Sequence, residues 1–376
     1  MAENFWSVFM KNLFYNILFI IMLAGAVALT VLNLSPYARQ VAAFPWYLIV
    51  AAAACLLAGA FMASFLSVLL HELGHMLFGA LCGFKVLSFK FFGIETVYIN
   101  GRRIRKMRGK DFCFGKCTLV PKIEDKPKKK LIITASGGLL FSLLAFLGYL
   151  LSNVLLEGIS PFVYAAVSPG LTVSLYIFLS SFLPYRSSAG RSDGALIADL
   201  NKDEEFAAVM ENLMRIQAQL YGGKSPAEID RDLYFKNPML SDDHATMFRL
   251  FYYRYLYYLD AGEFDKAAQT NRTAIELGDF LPPDEYAKLY LNACFDFILS
   301  GEREKAKACF LEDYEDDMST YRIKAYYSHY VISDGQKVRA YIHRARQEGE
   351  THAFKGVAAM EEKLLQNLAH AMEGEG

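Results

Sequence analysis

Residues 67–78 read Ser67-Val68-Leu69-Leu70-His71-Glu72-Leu73-Gly74-His75-Met76-Leu77-Phe78, a His-Glu-x-x-His motif inside a long apolar run. On a helix, His71 and His75 lie four residues apart and share one face. Two imidazoles at that spacing can bind one zinc ion, with Glu72 beside them as general base. From Trp46 to Leu70 no side chain carries a charge. Ionisable groups in such a segment are costly to hold there and mark function. The bland alternative is a chance match, or buried histidines bonded to backbone. Three ionisable groups in one turn of an apolar helix weigh against it.

Outward from the motif, residues 44–83 are a long run that is apolar apart from the motif itself and a few small polar residues, and make one crossing of a membrane or two. Charge decides between them. Residues 85–130 are crowded with Lys and Arg, among them Arg102, Arg103, Arg105, Lys106, Arg108 and the run Lys126-Pro127-Lys128-Lys129-Lys130. The positive-inside rule places this segment in the cytoplasm. Residues 35–45 carry a single charge, Arg39, and suit the outside. One crossing over residues 46–83 satisfies both, as a long helix with a bend near Gly59 and the motif towards its cytoplasmic end. Residues 13–34 are a first crossing, ended by Ser35-Pro36. Residues 131–156 are a third, opening with Thr134-Ala135-Ser136-Gly137-Gly138, whose small side chains allow close helix packing. Residues 162–183 are a fourth, kinked or broken at Pro169-Gly170. After Leu183-Pro184 a loop leads to Asp193, well placed to N-cap the next helix. The fold expected is therefore mainly α: a four-crossing membrane bundle over residues 1–200, with both termini cytoplasmic. That topology brings His71, His75 and Asp193 to one side of the bilayer, and suits a multi-pass protein of the plasma membrane.

The basic segment between the second and third crossings reads as β over residues 85–120. Residues 86–92 and 94–99 are rich in aromatic and β-branched types, and Asn100-Gly101 is a type I′ hairpin signal leading into a return strand over 102–107. Such a hairpin can hold an extended peptide by strand addition. Its charges can equally bind anionic lipid.

The second half differs in composition. Lys plus Arg is 39 and Asp plus Glu 40, so net charge says little, but the apolar residues lie mostly before residue 200 and the charges mostly after it. Residues 201–376 read as a soluble helical domain. The stretch Leu259-Asp260-Ala261-Gly262-Glu263-Phe264 is echoed by Leu299-Ser300-Gly301-Glu302-Arg303-Glu304, and again by Ile332-Ser333-Asp334-Gly335-Gln336. Helix, glycine turn, helix at this spacing resembles degenerate tetratricopeptide repeats, which bind protein segments on a concave face. Residues 353–372 read as a capping helix. The six cysteines are scattered and suggest no disulfide framework. His244, His329, His343, His352 and His370 show no metal spacing, and no nucleic-acid partner is expected.

The residues of the first half resemble the site-2 protease family of intramembrane zinc metalloproteases. Three features carry the resemblance: His71-Glu72-Leu73-Gly74-His75; Gly138 with Ser142, similar to that family's Gly-x-x-x-Asn/Ser/Gly element; and Leu183-Pro184 followed by Asp193-Gly194, similar to its Asn-x-x-Pro…Asp-Gly element. It covers roughly residues 46–200. Ser181 stands where the family usually has Asn, and the spacing from Pro184 to Asp193 is longer than usual. The resemblance implies Asp193 as third zinc ligand, with Asp199 as runner-up, and Gly138, Ser142 and Pro184 near the substrate. Three protein ligands leave a fourth zinc position for water, and Glu72 can take a proton from it and pass it to a leaving amine. The expected activity is hydrolysis of a peptide bond in or near the transmembrane segment of a membrane-anchored protein or peptide, with a protein partner on the helical repeats. The alternative is a membrane-anchored helical-repeat adaptor without proteolytic activity, which has no need of Glu72. A zinc-dependent transporter fits less well, because the crossings carry no other ionisable groups.

Overall fold

The computed structural model describes residues 2–99, 102–107, 115–122, 126–156, 160–187, 190–240, 243–278, 281, 283–312, 314 and 317–374. The first helix, α1, spans Ala2–Ala42. It does not end at Ser35-Pro36, as the sequence suggests. Proline lacks the N–H that would bond the carbonyl of Leu32, and the Ser35 hydroxyl donates to that carbonyl instead, at 2.8 Å. The backbone break is thus repaired locally, and the connection to the next helix shrinks to residues 43–45.

The motif helix, α2, runs unbroken over Trp46–Leu81. After the sheet region come α3 (Pro127–Leu155), α4 (Pro161–Val167) and α5 (Pro169–Phe182). The break expected at Pro169-Gly170 is present, because the ring of Pro169 fits only the first turn of a new helix. Three helical spans are long and apolar enough to cross a membrane: Trp46–Leu81, Pro127–Leu155 and Pro161–Phe182. They meet backbone to backbone. A Cβ on Gly74 would fall 2.3 Å from the carbonyl oxygen of Gly137, and one on Gly59 would fall 1.9 Å from that of Ala166. This is the small-residue packing that helices without a hydrophobic driving force between them require. Between α1 and α5, the hydroxyls of Thr30 and Thr172 share a hydrogen bond of 2.6 Å.

Between α2 and α3 lies an antiparallel sheet of β1 (Phe84–Phe91), β2 (Ile94–Ile99), β3 (Arg102–Met107) and β4 (Gly115–Pro121), in the order β3-β2-β1-β4. The β1–β2 turn uses Phe92 and Gly93, both at positive φ (46° and 77°), as a two-residue hairpin demands. The expected turn Asn100-Gly101 lies outside the described residues, and Ile99 pairs with Arg102 on either side of it. Strand β4 is not announced by its own residues: Gly-Lys-Cys-Thr-Leu-Val-Pro has no clear alternation. It forms an edge of the sheet and lies on α2, where a Cβ on Gly115 would meet Val68 at 2.6 Å and Glu72 at 2.8 Å.

Beyond α5, a small hairpin of β5 (Arg186–Ser187) and β6 (Gly190–Arg191) leads into α6 (Asp193–Lys202) and α7 (Glu204–Gly222). A short 3-10 turn (Pro226–Glu228) and α8 (Arg231–Phe235) come after it. Three helix pairs come next: α9 (His244–Asp260) with α10 (Phe264–Leu277), α11 (Pro283–Leu299) with α12 (Arg303–Cys309), and α13 (Met318–Tyr330) with α14 (Gly335–Glu350). Gly262 and Gly301 turn the first two pairs at φ of 74° and 77°. In the third the left-handed residue is Ser333, at 59°. Gly335, aligned with them in sequence, starts α14 instead.

The last helix, α15 (Lys355–Gly374), is not a cap at the end of the row. It lies against α7, α9, α13 and α14. Its Glu361 pairs with Arg322 of α13, both sealed from solvent. Lys363 donates to the carbonyl of Asp260 at 2.6 Å, and the Tyr326 hydroxyl donates to the carbonyl of Leu364 at 2.7 Å. Leu256, Leu291, Phe295, Ile323, Val338, Leu364 and Leu365 belong to one core.

Candidate metal centre

His71 and His75 project from one face of α2, and their Nε2 atoms lie 3.1 Å apart. The carboxylate of Asp193 closes the group, with Oδ2 at 3.3 Å from each Nε2. The opposite ring nitrogens are fixed. His75 Nδ1 faces the carbonyl of Thr134 at 3.0 Å. His71 Nδ1 faces the carbonyl of Gly138 at 3.2 Å and the hydroxyl of Ser142 at 2.8 Å. A carbonyl only accepts, so each Nδ1 carries the proton and each Nε2 presents a lone pair to the shared point. Two lone pairs and a carboxylate oxygen therefore converge. Ligands about 2.0–2.2 Å from a tetrahedral zinc sit roughly 3.3–3.5 Å from one another. The observed triangle, with sides of 3.1, 3.3 and 3.3 Å, is close to that size, and among the described residues this is the group of His, Cys, Asp and Glu side chains that could hold a metal ion.

Each of the three side chains is placed by a local cause. The close seam of Gly74 on Gly137 presses α2 against α3. Gly138 leaves room for the imidazoles: a Cβ there would fall 2.4 Å from Nε2 of His75 and 3.0 Å from Cε1 of His71. Asp193 does not N-cap α6, as expected from sequence. Ser192 does, its hydroxyl accepting from the N–H of Ala195 at 3.2 Å and donating to the carbonyl of Leu183 at 2.6 Å. With the cap supplied by its neighbour, the Asp193 carboxylate is free to turn to the histidines. Gly194 is needed because a Cβ would sit 1.8 Å from the carbonyl of Phe182, which lets α6 start hard against the end of α5. As a ligand, Asp193 would bind through its ionised carboxylate.

Glu72 is buried beside the triad, and its carboxylate accepts from the backbone N–H of Cys117 on β4. A cavity of about 320 Å³ opens here, lined by the triad, Glu72, residues 115–117 of β4, Ser180, Ser181, Arg191 and Ser192. Burial, then the nearby Glu72 charge, push the Cys117 thiol up to about 12, so it lines the cavity as a neutral group. Cys113 lies outside the described residues.

The other residues singled out from sequence take different places. Gly138 and Ser142 touch His71, so their contact is with that imidazole, one step behind the cavity. Pro184 makes a tight turn in which the N–H of Tyr185 bonds the carbonyl of Leu183 at 2.8 Å. Asp199, the runner-up ligand, is committed elsewhere: it accepts from Arg186 and Arg191. The strand beside the cavity is β4, not the 86–107 hairpin, because β4 is the sheet edge that lies on α2. Sequence reading placed β4 inside the stretch expected as β over residues 85–120 without setting it apart as a strand, and it missed Arg191 and the capping role of Ser192. Ser192 carried a signal, since a serine three residues before a helical N–H is a preferred cap. Comparison with protein-family models, with curated proteins and with solved structures gives no match.

Proposed function

We propose that this protein is an intramembrane zinc metalloprotease of the kind its motifs resemble, the site-2 protease family. One observation carries the reading: the Nε2 atoms of His71 and His75 converge with Asp193, next to a buried Glu72. Zinc held by these three residues would supply Lewis acidity toward a carbonyl and bring the pKa of water towards ~7. The remaining work belongs to the chain. Glu72 takes a proton on its carboxylate and returns it to the leaving amine. The Cys117 N–H holds that carboxylate in place. Edge strand β4, running past Glu72, offers an extended backbone along which an unwound substrate segment can lie. Ser181 adds a hydroxyl to the cavity wall.

The wider arrangement we propose has four crossings, the first made by the apolar stretch Asn16–Leu32 of α1. Both termini are then cytoplasmic. About 20 residues suffice to span a bilayer, and His71 comes later than that in α2, so the centre sits towards the inner face, within reach of water. The three helix pairs are read as tetratricopeptide-like and as a platform for a protein partner.

The test is Glu72→Gln. Size and shape are kept, and the three ligands are untouched, so zinc content should equal that of wild type. Cleavage of a co-expressed single-span substrate should fall by ~100- to 10,000-fold, the usual cost of losing an acid/base group. Cleavage at the wild-type rate would overturn the protease reading. A membrane-anchored adaptor predicts no cleavage by either protein.

A further inference from the structure

Two arginines face each other across the small hairpin between α5 and α6, since Arg186 pairs with Arg191 in its register. Like charges so placed repel, and here both reach Asp199 on α6, which is 3% exposed. Arg191 then extends further. Its Nε donates to Asp199 at 2.7 Å and its Nη1 to Asp243 at 2.7 Å. Its guanidinium lies 4.1 Å above the ring of Phe206 on α7. Asp243 is the N-cap of α9, the first helix of the paired-helix region, through its bond from the N–H of Thr246 at 3.1 Å. On the other side, Arg191 lines the cavity and is followed by Ser192 and Asp193. One guanidinium therefore ties the strand that delivers the third metal ligand to the start of the helical region. The longer spacing between Pro184 and Asp193 is what makes room for this hairpin.

We propose that Arg191 and Asp243 are positioning residues of the metal centre: the helical region, through Asp243, sets the place of Asp193. The inference rests on the reading of His71, His75 and Asp193 as a zinc site. Its consequence is that anything displacing α9, such as a partner docking on the helix pairs, changes the affinity of the centre for its metal. A planar, two-sided donor is required here, which lysine cannot supply.

The experiment uses the full-length protein in detergent, stripped of metal, with zinc affinity measured by competition against a chelating dye. Asp243→Asn is the informative variant, because Asn caps a helix about as well as Asp while removing the charge that Arg191 pairs with. Arg191→Lys is its companion. Both should weaken zinc binding, by up to about the 10- to 100-fold that loss of a partner bonded directly to a metal ligand costs. With cobalt(II) in place of zinc, both should alter the visible absorption bands, which report ligand geometry and which a general loss of stability would not move. Wild-type zinc affinity and an unchanged cobalt spectrum in Asp243→Asn would overturn the relay. A wild-type chain that binds no zinc would overturn the zinc site itself, and the relay with it.

Discussion

At the scale of single residues, the centre depends on atoms that are absent as much as on those present. Gly138 is the sharpest case. A methyl group there would overlap the His75 ring and crowd His71, so Gly138→Ala should expel one or both imidazoles. Zinc content should drop to that of His75→Ala, while the helical content by circular dichroism stays that of wild type. Asp193→Ala should likewise empty the site, whereas Asp199→Ala should keep all three ligands and retain zinc, with weaker affinity. A different residue adds a pH dependence to stability. Asp296 in α11 accepts from Asn271 at 3.0 Å, yet burial pushes its carboxyl up to about 7. In the unfolded chain an aspartate titrates near ~3.9. Between these values the folded state holds a proton that the unfolded state has released, so stability falls as pH rises through that window and levels off above it. Asp296→Asn removes this slope. The gap in melting temperature between the variant and wild type should therefore shift in favour of wild type as pH is lowered from 8 to 5. A gap that does not change with pH would contradict the buried, protonated carboxyl.

At the scale of elements, periodicity and charge made legible whatever local chemistry sets: the motif helix, the break at Pro169 and the first hairpin strands. Three things were not legible. The helix α1 passes Pro36 because a serine hydroxyl replaces the missing backbone donor, a compensation that propensity does not report. Strand β4 lay inside the stretch expected as β but was not set apart as a strand, because its residues carry no clear alternation and it forms on β1 and α2. Asp193 leaves its capping role because Ser192 is one residue earlier and fills it. In each case a tertiary or neighbouring partner outweighed the intrinsic preference. The three side chains that converge, His71, His75 and Asp193, were nonetheless legible, two from spacing and one from resemblance, since their residue types have few other uses in an apolar setting. Helix α15 gives the element-scale prediction. Arg322 lies with its guanidinium 3.9 Å from the Phe295 ring and paired to Glu361. Breaking a sealed ion pair on one side leaves an uncompensated charge and costs about 3–5 kcal/mol. Glu361→Ala should lower the stability of the helical region by that amount in a denaturant titration, read by the near-ultraviolet signal of its tyrosines. Arg322→Met combined with Glu361→Leu should recover most of the loss, because hydrophobic replacement of both partners is often neutral.

At the scale of the whole molecule, topology is the quantity that joins the parts. The proposed four-crossing arrangement puts the connection after α1 outside and the sheet inside. Single cysteines introduced beside Arg39 and beside Arg103 should separate under a membrane-impermeant label, the first reacting in intact cells and the second only after lysis. The reverse pattern would refute the single crossing by α2. The molecule also divides the burden of holding its centre unequally. His71 and His75 stand on a seam where the backbones of α2 and α3 touch at Gly74 and Gly137, with no side chain between them to flex. Asp193 stands on a hairpin fastened by charge. Amide hydrogen exchange should register this difference directly. In metal-free protein the N–H groups around His71 should exchange among the slowest in the chain and those around Gly190 to Gly194 much faster. Adding zinc should slow the second set and leave the first as it was, the ion tightening the one side chain of the three that is held by charge.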